Sequence, residues 1–77
     1  MEELEGSVSH IVFRSEDSGY TVFTIEDKGE EVTCVGNFSH IAVSERIKMQ
    51  GRWKEHPVYG KQFFIERFEL LPPDTLT

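Results

Sequence analysis

Cations and aromatic side chains are concentrated in one short stretch of this acidic chain, GRWKEHPVYGKQFFIERFEL, which spans residues 51–70. The cations and aromatic residues brought together in it include Arg52, Trp53, Lys54, Tyr59, Lys61, Phe63 and Phe64. Aromatic rings can stack on bases while cations track the phosphates. A β-hairpin with a solvated basic face would contain the same residues, so both interpretations stay open.

The charge is unevenly spread along the 77 residues, whose formal net charge is −6. Residues 1–38 hold nine acids and two bases, whereas residues 39–77 hold six bases and five acids. Free-standing nucleic-acid binders usually carry a basic excess, because phosphate neutralisation supplies much of their affinity. The composition argues against strong autonomous binding, yet it allows a local basic face.

The sequence offers little for catalysis or metal binding. His10, His40 and His56 are far apart, without cysteine or carboxylate partners at ligand spacing. The chain contains no Gly-x-x-x-x-Gly-Lys-Ser/Thr loop for nucleotide phosphates. Cys34 is the single cysteine, which excludes an internal disulfide; we expect it to be a buried small residue. The acidic start MEELEG is not a signal peptide, and a cytoplasmic location is expected.

Alternating apolar residues bounded by turn residues predict five strands, at residues 4–14, 20–27, 31–38, 46–54 and 61–71. The segments SEDSG and DKGE predict turns, and EHPVYG predicts a loop. Residues 39–45 are the helical candidate, long enough for one turn. We expect Ile41 and Val43 in this connector to fill the base of the fold.

Shifts in the apolar phase predict β-bulges between Val8 and Ile11 and near Glu66 and Arg67. Five strands with a long, bulged first strand are typical of a small Greek-key barrel. We therefore predict an all-β, five-stranded antiparallel barrel of the oligonucleotide/oligosaccharide-binding (OB) type over residues 1–71, with an SH3-like barrel as the competitor. Residues 72–77 are predicted to be a linker to a following domain.

The fourth strand separates apolar from charged residues. Ile47, Met49 and Trp53 alternate with the cations, and we expect Trp53 to be a core residue. The cations of its polar face are Arg46, Lys48, Arg52 and Lys54. This face could contact DNA, dock on an acidic protein surface or deter edge-to-edge pairing. If Phe63 and Ile65 point inward on the fifth strand, Phe64 points outward and needs a partner.

Three segments carry a resemblance to a known family: LEGSVSHIVFRSEDSGYTVFTIED, EVTCVGNF and GRWKEHPVYGKQFFIERFELLPPDTL. Together they resemble the N-terminal OB-type domain of long-form RecD-like DNA helicases, the exodeoxyribonuclease V alpha subunit family. The pattern GRWKEHPVYGKQF is its most specific part. The short connector FSHIAVSE departs from the usual OB pattern, in which a helix often plugs the base of the barrel.

The resemblance implies a non-catalytic accessory domain of an ATP-dependent 5′→3′ DNA helicase acting in repair and recombination. ATP and Mg²⁺ would serve the motor of the parent protein, so no cofactor is expected for this fragment. Its expected partners are single-stranded DNA and the other domains of the helicase; the alternative is a protein-docking module that touches no DNA. The candidate DNA-binding residues are Arg14, Tyr20, Lys48, Arg52, Lys54, His56, Tyr59, Lys61 and Phe64.

Overall fold

The computed structural model describes residues 1–72, which form an all-β fold. Its strands are β1 (Glu2–Arg14), β2 (Tyr20–Asp27), β3 (Glu30–Asn37), β4 (Arg46–His56) and β5 (Gly60–Leu71). The five predicted strands are confirmed, and each observed end lies within two residues of the prediction. The predicted linker lies outside the described residues from position 73 onward. No helix among the described residues could cross a membrane.

The five strands close into a barrel in the order β1-β2-β3-β5-β4, which confirms the predicted OB-type architecture. One detail of the prediction needs correction, because the β3–β5 pair is parallel rather than antiparallel. Successive strands run in alternating directions, so two odd-numbered strands that become neighbours must run the same way. The other four neighbouring pairs are antiparallel.

The barrel interior holds one apolar cluster to which all five strands contribute. Its buried members are Val8, Phe23, Ile25, Cys34, Phe38, Ile41, Ile47, Met49 and Phe63. Burial raises the pKa of the Cys34 thiol to about 12, so the predicted role of this residue as a small core side chain is confirmed. Trp53 is half-buried against the cluster, and its ring meets that of Phe63 edge-on at 5.1 Å between centroids.

Three irregularities bend the long strands. In β1, Ser9 and Val12 have no direct partner on β2, and in the β4–β5 ladder Glu66 is the extra residue. The bulges at Ser9 and Glu66 lie where the apolar phase predicted them. The second β1 bulge was not predicted, and it leaves the Val12 side chain 62% exposed on the outside of the barrel. Bulges increase local twist and bend a strand, which a small closed barrel requires.

The β3–β4 connector forms no helix, so the prediction of a helical turn at residues 39–45 is wrong. Its backbone pairs with β1 instead: Val8 N donates to Glu45 O, and Ser44 N donates to Val8 O, both at 2.8 Å. Ile41 is 1% exposed and fills the barrel base as predicted, whereas Val43 is 52% exposed and does not. The connector turns at Val43 and Ser44, where Glu45 N donates to Ala42 O at 3.2 Å and Ser44 has a φ of 81°, so that of the two predicted side chains only Ile41 faces inward.

Gly51 lies where β4 crosses closest to β5. A Cβ atom at this position would lie 2.0 Å from the carbonyl oxygen of Phe64. Backbone atoms cannot move aside as a flexible side chain can, so the β4–β5 ladder would have to shift. The backbone φ of Gly51 is not in the left-handed region, so glycine is required here by the lack of space for a Cβ atom and not by its backbone conformation.

We expect Gly51→Ala to lower the free energy of unfolding by about 2 kcal/mol or more, because overpacking against backbone is costly. Urea unfolding followed by Trp53 fluorescence measures the change. Gly29→Asn is the matched control: this turn glycine has a φ of 85° with open space around it, and asparagine tolerates the left-handed region. An equal loss of stability in both variants would contradict the steric explanation.

Candidate functional site

A groove of about 480 Å³ lies on the outside of the barrel and reaches the tip of the β4–β5 hairpin. We call it the outer groove; its lining residues are Val12, Phe13, Tyr20, Val22, Thr33, His56, Tyr59 and Gln62. Among the described residues, those that line it include no Asp, Glu, Lys or Arg. Ligands of OB folds commonly bind this part of the barrel, across the second and third strands between the two flanking loops.

Strand alternation explains which side chains reach the outer groove. On β2, Thr21 and Phe23 are fully buried, so Tyr20 and Val22 point outward. The same rule applies on both sides of the parallel β3–β5 pair, where Cys34 and Phe63 are register partners in the core. Their neighbours Thr33 and Gln62 therefore lie side by side on the outer face.

Aromatic rings form the two walls of the outer groove. At one wall, the Phe13 and Tyr20 rings are 6.3 Å apart between centroids. At the other wall, the Tyr59 ring is 4.7 Å from the His56 ring, and the Tyr59 residue is 75% exposed. Exposed aromatic faces held at fixed positions can stack on planar ligands such as nucleobases.

His56 holds the hairpin tip that carries Tyr59. Its Nδ1 accepts hydrogen bonds from Val58 N at 3.0 Å and from Tyr59 N at 3.1 Å. Pro57, between them, has no N–H to donate. Because Nδ1 is an acceptor, the imidazole is neutral in this arrangement, with its hydrogen on Nε2. The side chain therefore orders the backbone of the tip in the way an Asx turn does.

The cations predicted to form a basic face on β4 are largely neutralised. Arg46 pairs with Glu5 at 2.9 Å, and Arg52 pairs with Glu66 at 2.9 Å. Lys48 pairs with Glu3 at 3.1 Å; this hydrogen bond and the charge of Glu3 hold the pKa of the Lys48 ammonium above its ordinary value. The carboxylates come from β1 and β5, which flank β4, so the expected excess of positive charge is not present on this face.

The remaining candidate cations have non-carboxylate partners. Lys54 Nζ lies 4.7 Å from the centroid of Phe64, which points outward as predicted. Lys61 Nζ lies 4.7 Å from the Trp53 ring, on the opposite face of the hairpin. Arg14 Nη2 donates to the carbonyl of Ile41 in the β3–β4 connector. Cation–π contacts leave the charge accessible at the surface, so Lys54 and Lys61 keep the ability to meet a phosphate.

The structure divides the predicted site residues into three groups. Tyr20, His56 and Tyr59 meet in the outer groove. Arg52, Lys54 and Phe64 lie on the adjoining outer face of the β4–β5 hairpin, where Arg52 is the register partner of Phe64 and Lys54 Nζ lies over the Phe64 ring. The residues that lie elsewhere are Arg14, Lys48 and Lys61.

Sequence reasoning missed several groove residues. Val12 and Phe13 were not among the predicted site residues, and the unpredicted second bulge, between Ile11 and Phe13, places both in the groove lining. Gln62 carried a usable signal, because a polar residue directly before the inward Phe63 must face outward next to β3. Within residues 1–72, no group of three or more His, Cys, Asp or Glu side chains is arranged to hold a metal ion.

We expect His56→Ala to release the hairpin tip, speeding amide hydrogen exchange at Val58 and Tyr59, since both N–H groups lose their acceptor. The free energy of unfolding should fall by about 1 kcal/mol. His56→Asn should restore slow exchange, because the asparagine oxygen can take the place of Nδ1 in an Asx turn. Exchange that is equally slow in all three proteins, measured by NMR, would show that the imidazole does not hold the tip.

The comparison with known families agrees with this geometry. The family described as "ATP-dependent DNA helicase YrrC, OB-fold domain" matches residues 1–73, nearly the whole chain. No curated protein matches the chain. A closed five-stranded barrel is the architecture of an OB-fold domain. The chain belongs to the family of OB-fold domains of YrrC-type ATP-dependent DNA helicases.

Proposed function

We propose that this accessory helicase domain contacts single-stranded DNA through the outer groove, using aromatic stacking rather than charge. The observation that carries the proposal is the pair of aromatic walls around a groove lined by uncharged residues at the OB ligand-binding position. Stacking on aromatic side chains is worth about 1–3 kcal/mol per base and tolerates any sequence. A guide that handles a moving strand needs such tolerance.

The two walls divide the expected contacts. Tyr59 supplies the most exposed ring of the groove, and the His56 ring packs against it with 4.7 Å between the ring centroids. Phe13 and Tyr20 form the facing wall at the β1 end of the groove. A strand crossing from one wall to the other would place successive bases on these rings, with its backbone toward solvent.

Phosphate contacts are expected to be few. Glu16 and Asp17 lie in the β1–β2 turn, where their negative charges would repel phosphates. Three cations of β4 are already paired with carboxylates and are therefore less available to phosphates. Lys54, on the outer face of the hairpin beside Phe64, is the cation best placed for a phosphate. Binding should accordingly be weak and only shallowly dependent on salt, since the slope of affinity against salt counts the phosphates neutralised.

The parent protein would supply the activity to which this domain contributes. We infer an ATP-dependent helicase with 5′→3′ polarity, whose motor binds ATP and Mg²⁺ outside this fragment. The chain itself has no phosphate-binding loop. We infer that the parent helicase acts in DNA repair or recombination and is cytoplasmic.

Protein docking is the second candidate function. It is favoured by the apolar side chains that stay exposed on the C-terminal half of β5, where Phe68 is 45% and Leu70 39% exposed. Their register partners on β4, Met49 and Ile47, are fully buried. Phe68 and Leu70 therefore leave apolar surface uncovered beside the core, at the C-terminal end of β5. In this alternative, helicase output would fall on mutation of Phe68 or Leu70 while DNA affinity of the domain stayed unchanged.

We expect Tyr59→Ala to weaken binding of a labelled single-stranded oligonucleotide by roughly 5- to 150-fold, the equivalent of one lost stacked base. Fluorescence anisotropy at low salt measures it. Tyr59→Phe should bind almost as well as the natural domain, because the ring remains. Val58→Ala is the matched control in the same tip, since the Val58 side chain is exposed and does not line the groove. Equal affinity of the natural domain and Tyr59→Ala would rule out the stacking wall.

The salt dependence of DNA binding should distinguish Lys54, a cation without a carboxylate partner among the described residues, from Lys48, which is paired with a carboxylate. We expect Lys54→Gln to reduce the log–log salt slope by about 0.7, the loss of one phosphate contact on a single strand. Lys48→Gln should leave the slope unchanged, because Lys48 is already paired with Glu3. Titrations at several salt concentrations measure both slopes. The reverse result, in which Lys48→Gln reduces the slope and Lys54→Gln does not, would place the DNA on the part of β4 that pairs with β1 instead.

A further inference from the structure

Gln62 is a buried polar residue in an unusual place, the floor of an otherwise aromatic groove on the outside of the barrel. The residue is only 7% exposed, although it points away from the core beside Thr33. Its direct neighbour Phe63 is a core residue and its register partner is Lys54. A glutamine on the outer face of a sheet is usually solvated, so this degree of burial requires an explanation.

The amide of Gln62 has no protein partner among the described residues. None of the side-chain hydrogen bonds in this part of the chain involves it. No fully enclosed side-chain nitrogen or oxygen within residues 1–72 lacks a hydrogen bond. The amide nitrogen and oxygen are therefore at least partly exposed to solvent, and the residue that carries them lines the outer groove.

We propose that Gln62 reads the edge of an adenine base that is stacked in the outer groove. This inference rests on the proposed function and adds a base preference to it. The glutamine amide presents one acceptor and one donor side by side, which matches the N6 amino group and N7 of adenine in a bidentate pair. The groove volume of about 480 Å³ falls within the range of ~300–1,000 Å³ that is usual for ligand pockets.

On the base edge that carries N7 in purines, the other bases lack a matching reader in the groove. Guanine is read chiefly by Arg or Lys at O6 and N7, and the cytosine amino group by Asp or Glu. Among the described residues, none of these four types lines the groove. Thymine can stack and place its methyl group against Val22, without a bidentate partner in the usual pairing. Adenine is therefore the favoured occupant, and thymine is the natural comparator.

The test compares binding of labelled oligo-dA, oligo-dT and oligo-7-deaza-dA to the domain by anisotropy at low salt. We expect oligo-dA to bind at least about fivefold more tightly than oligo-dT. The 7-deaza oligonucleotide retains the ring and the amino group but replaces N7 with C–H, so it should lose most of this preference. Gln62→Met should abolish the preference, so that oligo-dA and oligo-dT bind with similar affinity, whereas Gln50→Met, a matched change on β4 away from the groove, should preserve the preference.

A second readout does not depend on a folded variant. In the ¹⁵N-labelled natural domain, the side-chain amide resonances of Gln62 should shift further with saturating oligo-dA than with saturating oligo-7-deaza-dA, because only oligo-dA offers N7 as an acceptor. If all oligonucleotides bind equally, or if Gln62→Met keeps the preference, the adenine inference is overturned while the proposed DNA contact stands. If no oligonucleotide binds, both are overturned. A Gln62 amide that stays unshifted during saturable oligo-dA binding also overturns the inference.

Discussion

The short parallel pairing of β3 with β5 is the constraint on which the rest of the structure depends. Its ladder has two register pairs, Cys34 with Phe63 and Val35 with Phe64. On the inner side, it brings Phe63 into the shared core; on the outer side, it places Gln62 beside Thr33. Because one pairing makes both faces, the groove exists only when the barrel is closed. The DNA contact we propose would therefore be lost when the β3–β5 pairing opens, before the individual strands come apart.

Closure in turn requires β4 and β5 to bend, and two features of the chain permit it. Gly51 allows the β4 backbone to approach the Phe64 carbonyl, and Glu66 is accommodated as an extra residue in the ladder. Glu66 then pairs with Arg52 across the bend. An exposed ion pair of this kind contributes only ~0–1 kcal/mol, so the bend is held mainly by packing and space rather than by charge.

The ion pairs of β4 remove most of the positive charge through which this acidic domain could bind DNA electrostatically. Glu3 and Glu5 from β1 form diagonal cross-strand ion pairs with Lys48 and Arg46, which gives this sheet face alternating charges. Such a face neither attracts nor strongly repels a phosphate chain at physiological salt. In a helicase, a contact that is weak and carried by ring stacking would let the strand slide, whereas a strongly basic surface would retain it.

The sequence by itself determined the strands, two of the three bulges and the inward or outward direction of residues such as Phe63 and Phe64. These follow from local alternation and turn chemistry, which are written in consecutive residues. Tertiary structure alone decided four other matters. It paired the β4 cations with carboxylates from distant strands, it used the connector backbone to pair with β1 instead of forming a helical turn, and it turned Phe13 outward at a second bulge. It also set Gln62 beside Thr33, because which strands become neighbours on barrel closure is a non-local property that no short stretch of residues specifies.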